Sequence, residues 1–140
     1  MLFLQNLLQL HHLHFYFQFA AGDLQIGQTA ALCKDLSDLA LKANGVAPFI
    51  AADQEGGLVS RITEGAALFP GAMALASCAT EEEIRQVGKN CGQMLRAMGV
   101  NVNFAPVLDV NIEPKNPIIG IRSFGDQPQA VADMGCAMLE

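Results

Sequence analysis

The feature that most constrains the fold is a repeated order of short apolar stretches and amphipathic helices. Residues 46–52 form an apolar run without polar alternation, as is typical of a strand covered on both faces. A helix is predicted before it, over residues 28–43, and another from Thr80, followed by a strand over residues 100–104. The order strand, helix, strand, helix, strand, helix predicts right-handed parallel units with the helices outside. The class is α/β, and two architectures stay open, a small doubly wound sheet and part of an eight-unit barrel.

The ends of the predicted helices carry recognisable signals. Gly45 follows the first helix and suits a left-handed cap. Thr80 and Glu83 have the spacing of a capping box at the start of the second helix. Asp126 is predicted to cap the third helix, in which Pro128 occupies an early position.

The first 22 residues contain no charged side chain, which sets them apart as an atypical apolar start. A secretory signal would need a basic region before its apolar core, and polar residues interrupt the run, so a signal peptide and a spanning helix are both disfavoured. The spacing predicts a helix and then a strand around Phe15, Phe17 and Phe19. Histidines at positions 11, 12 and 14 suit a metal site by residue type, but no other ligand is tied to them by spacing, and an incidental role is favoured.

Composition excludes several classes of protein. The chain has 140 residues, a length that suits one domain, with 16% charged residues and a net charge of −6. Its eight basic residues form no stripe, which argues against nucleic acid and anionic membranes as partners. The four cysteines are too far apart for a C-x-x-C pair, and three of them fall on predicted helices beside apolar residues, which favours small buried thiols over disulfides. We therefore expect a reducing, cytoplasmic location, with export as the alternative.

Polar residues lie where the predicted strands end, which is where α/β proteins have their catalytic and ligand-binding residues. Asp53 and Glu55 follow the apolar strand at i and i+2, with Arg61 eight residues after Asp53 as a candidate charge partner. Such carboxylates can bind sugar hydroxyls, hold a metal or act as acid and base, or they can simply cap a helix and face solvent. The Arg122 guanidinium can donate two hydrogen bonds to hydroxyls or to a carboxylate of a ligand, or it can hold its own loop in place. A second polar cluster, for which a structural role is favoured, comprises Asn103, Asp109 and Asn111.

The same segments resemble glycoside hydrolase family 3, in its β-N-acetylhexosaminidase branch. The resemblance covers residues 23–140 and rests on several long motifs in the family's order. These are FIAADQEGG at 49–57, PGAMAL at 70–75, GVNVNFAPVLDVN at 99–111, and NPIIG with RSFG at 116–125.

The resemblance implies a parallel TIM-type barrel of which about three βα units are present. It also implies removal of terminal N-acetylglucosamine from β-linked glycosides and muropeptides, through a covalent glycosyl-enzyme with retention of configuration and without a metal or organic cofactor. Asp53, Arg61 and Arg122 match family positions that hydrogen-bond the terminal sugar. Asp109 and Glu55 are assigned to structural support.

The family's Lys-His-Phe-Pro-Gly-His-Gly segment, its acid-base histidine and its nucleophilic aspartate match nothing in residues 1–140. We therefore expect the amino-terminal part of such an enzyme, with part of the sugar-binding wall and no catalytic residue. The alternatives are a non-catalytic sugar-binding module, a part-barrel that self-associates through open sheet edges, and a β-glucosidase or β-xylosidase of the same family.

Overall fold

The computed structural model describes residues 16–19 and 24–140. In chain order the elements are β1 (Tyr16–Phe19), β2 (Leu24–Gln25), α1 (Ile26–Asn44), β3 (Phe49–Ala52), β4 (Gln54–Gly56), β5 (Val59–Ser60), β6 (Ile62–Glu64), α2 (Ala72–Cys78), α3 (Glu81–Ala97), β7 (Val102–Asn103), a 3-10 turn (Gly120–Arg122) and α4 (Pro128–Leu139). The predicted strand near Phe17 is confirmed as β1. The helix predicted before it and the three histidines lie outside the described residues.

The central feature is a parallel sheet with the order β1-β3-β7. In its register Phe17 lies opposite Ile50, and Ala51 lies opposite Val102. Ile50, Ala51 and Ala52 are fully buried, because β3 has a strand on each side and helices against it. The prediction of a parallel strand covered on both faces is confirmed, although the strand is shorter than the apolar run.

Two asparagines, one just before β7 and one at its end, bond to the chain around β3. The Asn101 side chain accepts from the Ile50 N–H at 2.8 Å and donates to the Pro48 carbonyl at 2.9 Å. The Asn103 side chain accepts from the Gln54 N–H at 3.0 Å and donates to the Gln54 carbonyl at 3.1 Å. Each side-chain amide uses one donor and one acceptor here, as a peptide group does, so the two side chains act as substitute strand partners.

The predicted helix ends are confirmed for α1 and α3 and wrong for α4. Gly45 closes α1 with a φ of 76°, and the Thr80–Glu83 capping box begins α3. The N-cap of α4 is Gln127 without a side-chain cap bond, and Asp126 lies one residue earlier. The physical reason is Pro128, which favours the first helical position and so makes its immediate neighbour the cap.

Four elements near the site, β4, β5, β6 and α2, escaped the sequence prediction. β4 and β5 form an antiparallel hairpin, β6 pairs in parallel with β2, and α2 is a helix of seven residues. All of them are too short to show a reliable period of hydrophobic residues. The hairpin is the most important for function, because it carries the acidic residues that follow β3.

The buried side chains form two apolar clusters. One lies between α1, α3 and the strands, around Cys33, Ile50 and Leu95, and the other joins α2, α3 and α4 around Ile84. Cys33 and Cys91 are buried as predicted, and burial raises the pKa of both thiols. The prediction is wrong for Cys136, which is exposed in the last turn of α4, and Cys78, which lies outside the predicted helices, is exposed as well. Across residues 16–19 and 24–140, no helix has the length and apolar character needed to cross a bilayer.

Candidate functional site

The site begins where β3 leaves the sheet. Asp53 directly follows β3 and Glu55 lies in the middle of β4, so the two acids are carried by one short stretch of backbone. Their side chains are 19% and 9% exposed. The residue between them, Gln54, is 2% exposed and points into the protein. This alternation directs the two carboxylates to the side opposite Gln54.

Gln54 holds the hairpin in place. Its side-chain oxygen accepts from the backbone N–H groups of Arg61 and Ile62 at 2.9 and 3.0 Å, and its amide donates to the Ile62 carbonyl at 3.0 Å. Asn103 holds the backbone of the same residue through both of its amide atoms. The consequence is that residues 61 and 62 are drawn back beside residues 53 and 54.

Asp53 and Arg61 form the first ion pair of the site. The Arg61 Nη2 lies 3.5 Å from the Asp53 Oδ2, which confirms the charge partner predicted from the sequence. The Arg61 Nε is buried and has no hydrogen-bond partner among the described residues. Arg61 is therefore held by its backbone N–H and by one long ionic contact.

Glu55 and Arg122 form the second ion pair, which is shorter and bidentate. The Arg122 Nε donates to the Glu55 Oε2 at 2.9 Å, and the Arg122 Nη2 donates to the Glu55 Oε1 at 2.7 Å. The hydrogen bonds from Arg122 to Glu55 raise the pKa of the guanidinium, and Asp109 and Asp53 add to the effect through their charges. Glu55 was assigned to loop support, and its partner was missed because the two residues are 67 positions apart.

The loop around Arg122 is fixed by a buried serine. Arg122 ends the 3-10 turn, and its Nη1 donates to the Ile118 carbonyl at 3.2 Å. Ser123 is fully buried, and its hydroxyl is placed to donate to the carbonyls of Asp109 and Gly125. The loop after β7 and the loop carrying Arg122 are thereby tied together.

In the second polar cluster the structural role is confirmed for the Asn103 side chain, whereas Asn111 and Asp109 contribute backbone atoms to the loops. Asn103 supports Gln54, and the Asn111 N–H donates to the Gly125 carbonyl at 2.8 Å. Asp109 contributes its backbone carbonyl to the Ser123 contact, while its exposed carboxylate adds negative charge near Arg122. None of these contacts directs the three residues to a ligand.

The two ion pairs lie in one electrostatic environment, because Arg122 is influenced by Asp53 as well as by Glu55. Two guanidinium groups and two carboxylates make a cluster with balanced charge and many directional donors and acceptors. An open cavity of about 480 Å³ adjoins Glu55 and Arg122, and its other walls are mostly apolar. Within residues 16–19 and 24–140, no group of three His, Cys, Asp or Glu side chains could hold a metal ion.

Comparison with known proteins identifies the family. The glycosyl hydrolase family 3 N-terminal domain matches residues 7–140. The chain belongs to glycosyl hydrolase family 3. The α/β architecture described above is accordingly that of the TIM-barrel-type domain of this family.

Relatives in the family include several hexosaminidases. Beta-hexosaminidase A of Pseudoalteromonas piscicida is 37% identical over 127 residues, which cover 87% of this chain and 21% of that protein. A family 3 beta-N-acetylglucosaminidase structure from Paenibacillus has a TM-score of 0.87 and 34% identity, covering 96% of this chain and 26% of that one. NagZ from Neisseria gonorrhoeae, in complex with N-trifluoroacetyl-D-glucosamine, has a TM-score of 0.81 and 29% identity, and the match covers 96% of this chain and 41% of that one.

This family 3 chain spans about a fifth of the length of the first curated relatives that it matches. The structure brings together Asp53, Arg61 and Arg122, the three residues singled out in the sequence, and adds Glu55 to them.

Proposed function

We propose that this chain supplies part of the wall that binds the terminal sugar in a β-N-acetylhexosaminidase. The whole enzyme would remove terminal β-linked N-acetylglucosamine from glycosides or muropeptides by a retaining mechanism. Asp53, Arg61 and Arg122 are the proposed sugar ligands. The observation that carries the proposal is the charge-balanced cluster of two ion pairs beyond the end of β3, in a chain whose relatives are hexosaminidases.

The charge balance supports a neutral, hydroxyl-rich ligand. An anionic ligand would meet two guanidinium groups already neutralised by Asp53 and Glu55, and the carboxylate of Asp109 nearby. Sugar hydroxyls both donate and accept, so they can bind carboxylate and guanidinium groups without disturbing this balance. Carbohydrate is thus the ligand class that the cluster fits best.

We further propose that residues 23–140, together with β1 before them, form the first βα units, about three in number, of the family's eight-unit barrel. Support comes from the parallel order β1-β3-β7 and from the match to the family's N-terminal domain. In this proposal the acid-base histidine and the nucleophilic aspartate lie outside the 140 residues. The chain alone would then bind the sugar and would not hydrolyse a chromogenic N-acetylglucosaminide.

Titration calorimetry with N-acetylglucosamine tests the binding proposal. We expect heat of binding from the wild-type chain, loss of that heat in Arg122→Ala, and retention in Arg96→Ala, a matched change at an exposed position of α3. Glucose and xylose are titrated in parallel, because equal binding of glucose would favour the β-glucosidase alternative. Absence of heat at millimolar N-acetylglucosamine would contradict the proposal, and chromophore release abolished by Asp53→Ala would contradict the proposed inactivity.

Self-association is a second candidate function, favoured by exposed apolar side chains in the loops after β7. These are Leu108, Ile112, Ile118 and Ile121, which are 52 to 77% exposed. Apolar side chains so exposed are typical of a surface that another element covers. Light scattering tests this candidate, and a monomer at high protein concentration would exclude it.

A further inference from the structure

Arg122 is only partly available to a ligand, because Glu55 and the Ile118 carbonyl engage three of its N–H groups. Glu55 takes the Nε–H and one N–H of Nη2, and Ile118 takes one N–H of Nη1. A guanidinium has five N–H donors in a fixed plane. Among the described residues, one N–H on Nη1 and one on Nη2 have no recorded acceptor. The orientation of these two donors is set by the bidentate contact, because the contact fixes the plane of the guanidinium.

Glu55 is itself rigidly held. Its side chain is 9% exposed, and it lies between the buried Gln54 and Gly56, which has a φ of 89°. A Cβ at Gly56 would lie 2.4 Å from the Pro70 carbonyl oxygen, so the backbone at this point is packed directly against residues 69–71. The backbone that carries Glu55 is therefore fixed and its side chain is largely covered, which leaves the carboxylate little room to move with Arg122.

Both carboxylate oxygens of Glu55 face Arg122, at 2.7 and 2.9 Å. Glu55 is therefore poorly placed to bind a sugar directly. The Asp53–Arg61 pair differs, since its ionic contact, Arg61 Nη2 to Asp53 Oδ2, is 3.5 Å long. The site thus combines one loosely paired arginine with one that is locked in place.

We propose that Glu55 is a positioning residue, which holds the Arg122 guanidinium in the orientation that binds the terminal sugar. This inference rests on the proposed function, in which Arg122 is a sugar ligand. Without Glu55, Arg122 would have to be ordered by the ligand itself. Ordering one arginine side chain on binding corresponds to roughly a two- to tenfold loss of affinity.

The test uses the 140-residue chain and two measurements, calorimetry with N-acetylglucosamine and the NMR signal of the Arg122 Nε–H without sugar. We expect a protected Nε–H signal in the wild type and an exchange-broadened one in Glu55→Gln, with about two- to tenfold weaker sugar binding. Glu55→Asp keeps the charge but is one methylene shorter, so binding should lie between wild type and Glu55→Gln. Glu81→Gln, the same change at an exposed position of α3, is the control and should match the wild type.

The outcomes separate this inference from the proposed function. Wild-type affinity in a folded Glu55→Gln, together with loss of binding in Arg122→Ala, would overturn the positioning role and leave the function standing. No binding by the wild-type chain would overturn the proposed function, and the Nε–H signal would still decide whether Glu55 orders Arg122. If Glu55→Gln does not fold, Glu55→Asp decides, and an unchanged affinity and Nε–H signal in that variant would overturn the inference.

Discussion

Gln54→Leu tests the idea that a neutral buried side chain builds the site. Leucine is similar in size to glutamine but cannot hydrogen-bond, so the N–H groups of Arg61 and Ile62 and the Ile62 carbonyl lose their partner. Ile62 is fully buried, and water cannot readily replace the lost bonds at that residue. Each stranded group costs on the order of 1 to 2 kcal/mol, so the three together predict a loss of about 3 to 6 kcal/mol.

Thermal unfolding followed by circular dichroism measures this loss. For a chain of this length it corresponds to a fall in Tm of roughly 10 to 20 °C. Gln86→Leu is the matched control, because Gln86 is exposed on α3 and bonds only to Asn90 among the described residues. Its expected effect is within about 0.5 kcal/mol. A Gln54→Leu variant as stable as the control would refute the role assigned to Gln54.

Two further predictions concern α3. Gly88→Ala places a Cβ 2.1 Å from the Met138 carbonyl oxygen and should destabilise the chain by about 2 kcal/mol or more. The Cβ of Gly92→Ala meets nothing within 4 Å, so this variant should be more stable than the wild type by about 0.5 to 1 kcal/mol. Urea unfolding measures both, and equal stability of the two variants would contradict the packing of α3 on α4. Hydrogen bonds from Thr80 lower the pKa of Glu83, so its contribution to stability is complete above the unfolded-state pKa and is lost as the pH falls through the folded-state pKa. The Tm values of wild type and Glu83→Gln should therefore differ by a constant amount from pH 7 down to about pH 4 and converge as the pH falls further, and a difference that persists in acid would contradict this linkage.

Much of the fold follows from local signals in the sequence. β3 was predictable because a run of apolar residues flanked by helices has few alternatives in an α/β protein, and the α3 boundary was predictable because Thr80 and Glu83 satisfy each other locally. The hairpin of β4 and β5 was not predictable, since its register depends on hydrogen bonds between the Gln54 side chain and the backbone of residues 61 and 62. A polar side chain that is buried to hold backbone leaves no hydrophobic pattern.

The sequence was enough to predict which residues belong to the site, but not to predict both of the ion pairs that they form. Asp53 and Arg61 are eight residues apart, so a turn between them was enough to suggest their contact. Glu55 and Arg122 meet because β3 and β7 are neighbours and Ser123 ties the loop after β7 to the segment that carries Arg122, an arrangement that only the tertiary structure shows. A sequence pattern could name Arg122 as a ligand donor but could not show which of its N–H groups were already engaged.

The site divides its work between two kinds of side chain. Gln54, Asn103 and Ser123 are neutral and bond to backbone atoms, so they set where the loops lie. The charged residues bond to one another from partly exposed positions, where an ion pair adds little to stability. Substitutions of the neutral group should therefore lower stability first, and those of the charged group should lower ligand affinity with little loss of stability. Glu55 is the residue that joins the two groups, because it is nearly buried like the first and charged like the second.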